Sequence, residues 1–518
     1  ILLGAFSLWV ALFAKPVEAD QPWEYAPYRV QIWLAVQPSA SLNQRVQRIL
    51  METIVSRAEL EIGAPWTLTL NQAPDSMFAD VAFGLDKITT SEILNFDEEV
   101  LEEDKLFLLR VSANAREYAL QAREFDCRTY RWGPIVTRTV RNPRELPRAA
   151  FDVVAAAFAP VTRIEGGKGK TAVVRLRAGG LVSSNDSPAY IGKGDVLLPI
   201  IRNNDRYGKA TPDKINEIPW TLLQVTGRGQ NNPSILDCNV YSGMRSPIRN
   251  RVSSRKERYA IGIRAVHEST RLVVESRVRK RDQQPPRLGG LEIYSKTPSP
   301  EPPVEKTADE KRQDERRDPP EYLGLTDWRG ELEIGPGSAP CRILYIKNGG
   351  QLLARLPMVP GRELQQIAQV PDDAPRLQAE GYIKGVHGEI MDLVAQRQIM
   401  AAIVRRRIQQ GRLDEADALL VQLQSLPTRK EIQQDIDQQQ ARQLLSPYQT
   451  VQSRIDTLYG DTRTMLGKYL DPNLGNQMRQ EFQRAQSQPP QATPKPAATK
   501  SPAKPQPQAP RGSPQPAQ

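Results

Sequence analysis

The chain has 518 residues, 39% of them hydrophobic and 43 of them proline, with 70 Lys/Arg against 60 Asp/Glu for a net charge of +10. At roughly 150 residues per domain this length holds about three domains, and the proline excess assigns part of it to linker or tail. With 2 histidines, a three-histidine zinc site is excluded; no His-Glu-x-x-His, paired Cys-x-x-Cys or Gly-x-Ser-x-Gly motif occurs.

Residues 1–14 are an apolar run, followed by Val17-Glu18-Ala19. That is the pattern of a signal peptide with cleavage after Ala19. Fourteen helical residues reach about 21 Å, short of a ~30 Å bilayer core. The expectation is an exported protein of the bacterial cell envelope or a secreted one, with no membrane span after cleavage; an uncleaved anchor is the rival.

Residues 20–160 read as an α/β domain. Residues 28–36 (YRVQIWLAV) alternate like a strand, and 42–60 carry Val46, Ile49, Leu50 and Ile54 at helical spacing with Ser41 as N-cap. Residues 66–70 and 105–111 are further strands. Residues 117–132 and 135–140 suit a hairpin turning at Gly133-Pro134, and 146–158 close the domain as a helix. Trp23, Tyr25, Tyr28 and Trp33 form either a ligand platform or core packing.

Residues 161–171 (161–165 VTRIE, then GGKGKT) read as a linker. Gly169-Lys170-Thr171 resembles the end of a phosphate-binding loop, but Ile164 stands where that loop needs glycine, and a strand follows where it needs a helix. Nucleotide hydrolysis is therefore rejected. Residues 172–280 are an all-β module, a small barrel or sandwich. Its last two strands, 258–267 and 271–278, suit a hairpin at Glu268-Ser269-Thr270, with Arg271, Val273, Glu275, Arg277 and Arg279 on one face. The segment 245–287 carries 13 Lys/Arg against 4 Asp/Glu. It is either a solvated face or a binder of acidic polymers through Arg271, Arg277, Arg279 and Lys280.

Residues 288–361 read as a second β-sandwich with a charged, proline-bounded insertion at 298–320. Short strands at 331–334, 342–347 and 351–356 are separated by Gly335-Pro336-Gly337 and by Asn348-Gly349-Gly350, a hairpin signal. With the turn Thr326-Asp327-Trp328-Arg329-Gly330, this pattern resembles the carboxypeptidase-regulatory or PEGA-type β-sandwich domains of bacterial surface proteins. The resemblance implies scaffolding in place of catalysis.

From residue 372 to 470 the apolar period becomes helical. One stripe runs from Ile383 to Ile408, Gly411 breaks it, and Leu413, Ala416, Leu419, Leu420, Leu423 and Leu426 form the next. Gly411-Arg-Leu-Asp-Glu-Ala416 followed by Pro427 resembles the second half of a tetratricopeptide repeat, which implies protein binding. Helices at 431–445 and 448–470 follow. Residues 485–518, rich in Pro, Gln and Ala with no acid or aromatic, suit a disordered basic tail.

The fold expected is multidomain α+β: an α/β domain, a small β-barrel or sandwich, a second β-sandwich, α-helical hairpins and a tail. The cysteines, Cys127, Cys238 and Cys341, one per domain, read as buried apolar residues. His267, placed in a strand, and His387, placed at a helix start, lack a nucleophile singled out by sequence. The acidic run Asp97, Glu98, Glu99, Glu102, Glu103 and Asp104 has no mid-loop glycine and reads as a solvated connector, not a calcium loop. No cofactor or metal is expected. The function read here is a non-enzymatic adaptor that binds an envelope or secreted protein through Ile403, Val404, Leu419, Leu420 and Leu423. The alternatives are a hydrolase with an unrecognised site in residues 20–160 and a binder of acidic envelope polymers.

Overall fold

The computed structural model describes residues 22–487 except 97, 115, 230–231, 246, 249–254, 278–283 and 300–317. The expected leader, most of the charged insertion, Asp97, Arg279, Lys280 and most of the expected tail lie outside the described residues. The chain divides into two units, residues 1–372 and 373–518.

The first unit begins with a sheet built on β1 (Tyr28–Val36), flanked in parallel by β2 (Trp66–Gln72) and β3 (Lys105–Ala113). β4 (Tyr118–Asp126) pairs antiparallel with β3, and both β5 (Arg131–Trp132) and β6 (Val136–Val140) pair with β4. Period-two alternation sends β1 and β3 side chains to two cores. Val30, Ile32, Leu34, Phe107 and Leu109 meet α1 (Gln44–Arg57) and α5 (Leu146–Ala157) through Leu50, Ile54, Phe151 and Val154. Trp33, Ala35, Leu106 and Leu108 meet α2 (Asp75–Phe83), α3 (Thr90–Phe96) and α4 (Glu98–Glu102) through Met77, Val81, Ile93 and Val100. Each such aliphatic side chain contributes about 1.5–3 kcal/mol by leaving water. The cap of α1 is Asn43, not Ser41: its side chain accepts from the Val46 amide at 3.1 Å. Tyr28 and Trp33 are core residues, so the four early aromatics form no platform.

Residues 161–171, expected as a linker, are β7 (Val161–Lys168) and the turn into β8 (Thr171–Leu176). Gly169 adopts φ 63°, and Lys168 pairs with Thr171 around the two-residue turn that had resembled a phosphate loop. β9 (Val196–Asn204), β10 (Ala210–Glu217), β11 (Thr221–Arg228), β12 (Ile235–Ser242) and β13 (Lys256–Ile263) complete the next sheet. Its order is β10-β9-β11-β12-β8-β7-β13, and β13 pairs back onto β9, closing a six-stranded barrel with β10 attached to β9. Leu176, Leu197, Leu223, Val225, Leu236 and Ala260 are among the residues filling it.

The hairpin expected between the strands around 258–267 and 271–278 does not form. β14 (Thr270–Ser276) leaves the barrel and pairs with β17 (Glu331–Ile334) and, in parallel, with β20 (Gln365–Val370). This three-stranded sheet faces a second one, ordered β16 (Glu321–Leu325), β15 (Glu292–Lys296), β18 (Arg342–Asn348) and β19 (Gln351–Met358). Leu272, Val274, Ile334 and Ala368 from one sheet pack with Ile293, Leu344, Ile346 and Met358 from the other. Gly349 and Gly350, at φ 56° and 77°, make the β18–β19 turn. Val273 and Glu275 are buried, so the strand's expected basic outer face is not an outer face.

The second unit is helical: α6 (Ala374–Gln409), α7 (Leu413–Ser425), α8 (Arg429–Arg442), α9 (Gln449–Tyr469) and α10 (Leu474–Ser487). Gly411, at φ 74°, lets the chain reverse between α6 and α7. Ile383, Val386, Ile390 and Leu393 of α6 pack with Ile436 of α8 and Ile455 and Tyr459 of α9. Ala401 and Val404, further along α6, pack with α7 and with Met478 and Phe482 of α10. No helix among the described residues is long and apolar enough to cross a membrane.

Candidate functional site

The charged residues of the first sheet are buried and paired. Asp104, at the edge of β3, accepts the Arg29 amide at 2.9 Å and binds Arg128 and Arg177. The Arg177 guanidinium also donates to the Pro27 carbonyl at 2.9 Å, and the Trp23 ring lies 5.0 Å from Arg177 and 5.2 Å from Arg128. Arg177 follows β8, so this cluster fastens the barrel to the first sheet. Asp104 belongs to the acidic run that reads in sequence as a solvated connector; in the fold it is 1% exposed.

One position along, the Lys105 ammonium is fully enclosed between Glu124 and Asp126, 2.8 Å from the latter, and donates to the Ala159 carbonyl at 2.6 Å. Burial opposes its charge, but the carboxylates of Asp126 and Glu124 outweigh that and raise its pKa. Burial pushes Glu124 up to about 7 against the attraction of Lys105. Asp126 is held low: burial acts against it, and Lys105 and the Thr129 hydrogen bonds prevail. Perturbed groups of this kind can mark catalytic sites. Here each carboxylate is consumed by an internal partner, and all three side chains are fully enclosed.

The opening that the topology creates lies elsewhere. After β1 the chain leaves to α1 on one face, and after β2 it leaves to α2 on the other. Ligands of open α/β sheets bind beyond the carboxyl ends of parallel strands at such a divergence. A crevice of about 500 Å3 occupies that place, lined by Val36, Ser39, Asn43, Gln47, Gln72 and Phe78 among others. Its polar groups are hydroxyls and amides. They can hydrogen-bond a ligand, but none exchanges protons near neutral pH. No group of metal-ligating side chains occurs among the described residues. The cysteines are free and buried, and burial pushes the Cys238 and Cys341 thiols up to about 12.

The histidines take no part in a site. His267 lies in the loop before β14, not in a strand, and its amide donates to the Gly361 carbonyl at 2.9 Å. His387 lies inside α6, not at its start, with Nε2 3.0 Å from the Thr462 hydroxyl. Of the basic residues singled out in sequence, Arg271 is exposed with its guanidinium 3.8 Å from Glu331, and Arg277 is exposed at the end of β14. Of the apolar ones, Val404, Leu420 and Leu423 are buried against α10, Leu419 is half-buried, and Ile403 is 38% exposed.

Large apolar side chains do reach solvent in other places. The side chain of Asp327 accepts the amides of Arg329 at 2.9 Å and Glu331 at 2.8 Å, and Gly330 takes φ 70°. The tight turn so formed leaves Trp328 80% exposed, with the Arg329 guanidinium 4.6 Å from its ring. Among the described residues the adjoining β16 is an edge strand, paired with β15 alone, and it displays Tyr322 and Leu325. In the helical unit Met391, Ile399 and Val421 are each more than half exposed.

No protein-family profile and no curated protein matches the chain. Solved structures that match include the LpoB C-terminal domain from Salmonella enterica, at 16% identity over 24% of this chain and 88% of that one, with a TM-score of 0.15. Lipoprotein GNA1162 from Neisseria meningitidis matches at 12% identity over 26% and 99%, with a TM-score of 0.15. TolB from Acinetobacter baumannii matches at 11% identity over 67% and 95%, with a TM-score of 0.18. Scores this low transfer no function.

Proposed function

We propose that this protein is a non-enzymatic, exported adaptor of the bacterial envelope that holds other proteins through apolar side chains on its surface. Export is supported by the apolar run at residues 1–14 and the small-residue site at Ala19. The observation that carries the adaptor reading is Trp328, 80% exposed beside β16, which is an edge strand among the described residues. An edge strand with unpaired amides and carbonyls accepts an extended segment of another chain, and flanking aromatic side chains add contact area. The helical unit supplies a second apolar surface through Met391, Ile399, Ile403 and Val421.

The test is partner capture from envelope extracts by the wild-type chain and by a Trp328→Ala/Leu325→Ser variant, with Leu60→Ser as a control at another exposed apolar residue. The adaptor reading expects a discrete protein that is lost with the first variant and kept with the control. Turnover of peptides, esters or glycans in a hydrolase screen would contradict it. The crevice beyond β1 and β2 favours a second reading, a site for a small uncharged ligand in the first sheet.

A further inference from the structure

The face of α6 opposite its core is self-complementary. Helical periodicity puts Ile383, Val386, Ile390, Leu393, Ala401 and Val404 on the inner side. The outer side runs Gly388, Met391, Ala395, Ile399, Ala402, Ile403 and Arg406, all exposed; Met391 and Ile399 are 56% and 60% exposed. A ridge of this kind on a helix of 36 residues is long enough to pack against another helix. Its charges differ end to end: Glu389 and Asp392 flank the start of the ridge, and Arg406 flanks its end.

We propose that α6 pairs antiparallel with α6 of a second copy of this chain, about a two-fold axis passing near Arg397. This rests on the reading that exposed apolar side chains here are docking surfaces, and it names the occupant of one of them. Under that symmetry Met391 of one copy meets Ile403 of the other, and Ala395 meets Ile399, so large residues face large at the ends and a small one faces a large one at the centre. Arg406 falls opposite Gly388, where no heavy atom stands within 4 Å of an added Cβ. The guanidinium therefore has room to lie between Glu389 and Asp392 of the second copy. A parallel pairing would set Arg406 against Arg406 and Asp392 against Asp392. Both ends of an isologous contact repeat the same charge pair, so each pair counts twice.

Sedimentation velocity on the whole chain tests this. The wild type should form a concentration-dependent dimer. Asp392→Arg and Arg406→Glu should each weaken it by about tenfold or more, since each places like charges at both ends. An equimolar mixture of the two variants should restore the dimer, because in the mixed pair positions 392 and 406 again carry opposite charges at both ends. The doubly substituted chain should also dimerise. Both positions are exposed, and circular dichroism on each variant checks that the helices persist. A wild type that stays monomeric, a dimer indifferent to both substitutions, or a mixture that fails to recover overturns the pairing. Partner capture through Trp328 in a chain that stays monomeric would overturn the pairing alone and leave the adaptor reading standing.

Discussion

Lys105 and Asp126 face each other across neighbouring strands at 2.8 Å, and neither side chain reaches solvent. Glu124 closes on the same ammonium from the other side, so one cation serves two buried carboxylates. Removing the cation strands both. Lys105→Met is expected to cost about 3–5 kcal/mol, the usual consequence of an uncompensated buried charge. The triple change Lys105→Met/Glu124→Gln/Asp126→Asn should recover most of that loss. Urea unfolding of the three proteins gives the comparison.

The same cluster predicts a pH dependence. Burial raises Glu124 from 4.5 to about 7, so the folded chain binds a proton there that the unfolded chain releases. The contribution of this group to stability is full below pH 4.5 and is lost as pH rises through 7. Its magnitude is on the order of 3 kcal/mol. Asp126, held low, acts in the opposite sense and adds stability that disappears as acid protonates it. Glu124→Gln should flatten the decline between pH 4.5 and 7 and leave the acid limb in place. Thermal unfolding followed from below pH 3.8 to above pH 7 measures both limbs.

Gly361 predicts a backbone effect. It sits at φ 81°, its amide donates to the Thr270 hydroxyl at 2.8 Å, and a Cβ there would collide with the His267 carbonyl. Gly361→Ala should cost about 2–3 kcal/mol from the left-handed backbone and the displaced loop. Gly350, also at positive φ but with open space around it, should lose less on the same change. Paired denaturation curves separate the two.

How much of this was legible in sequence depended on range. Tyr28–Val36 alternates in its first half and is buried on both faces from Ile32 on, and that local pattern identifies it without help from the rest of the chain. Asn348-Gly349-Gly350 encodes its own turn. The proposed docking surface is half legible: Asp327, Trp328 and Gly330 read as a turn, but the edge position of β16 depends on pairings made far away. Glu268-Ser269-Thr270 looks like a hairpin turn and points β14 to the wrong neighbour, whereas its partners lie some 60 and 95 residues on. β7 was hidden by Gly166 and Gly167, which sit at a register shift in the strand. Asp104 and Arg177 are 73 residues apart, and no local pattern links them. α10 did leave a trace, Leu474, Met478 and Phe482 at spacing four, within a sequence otherwise too rich in glutamine to stand out.

The central claim is that the Trp328 edge holds another protein. The direct measurement is site-specific photo-crosslinking in cells, with a photoreactive aromatic residue placed in turn at Trp328, Tyr322 and Leu60. All three positions are exposed, at 80%, 53% and 84%, so none of the replacements disturbs a core. The account predicts one discrete crosslinked protein from Trp328 and Tyr322, identified by mass spectrometry, and none from Leu60. Equal, diffuse labelling from all three positions, or no adduct from Trp328 and Tyr322 in correctly localised protein, would contradict it.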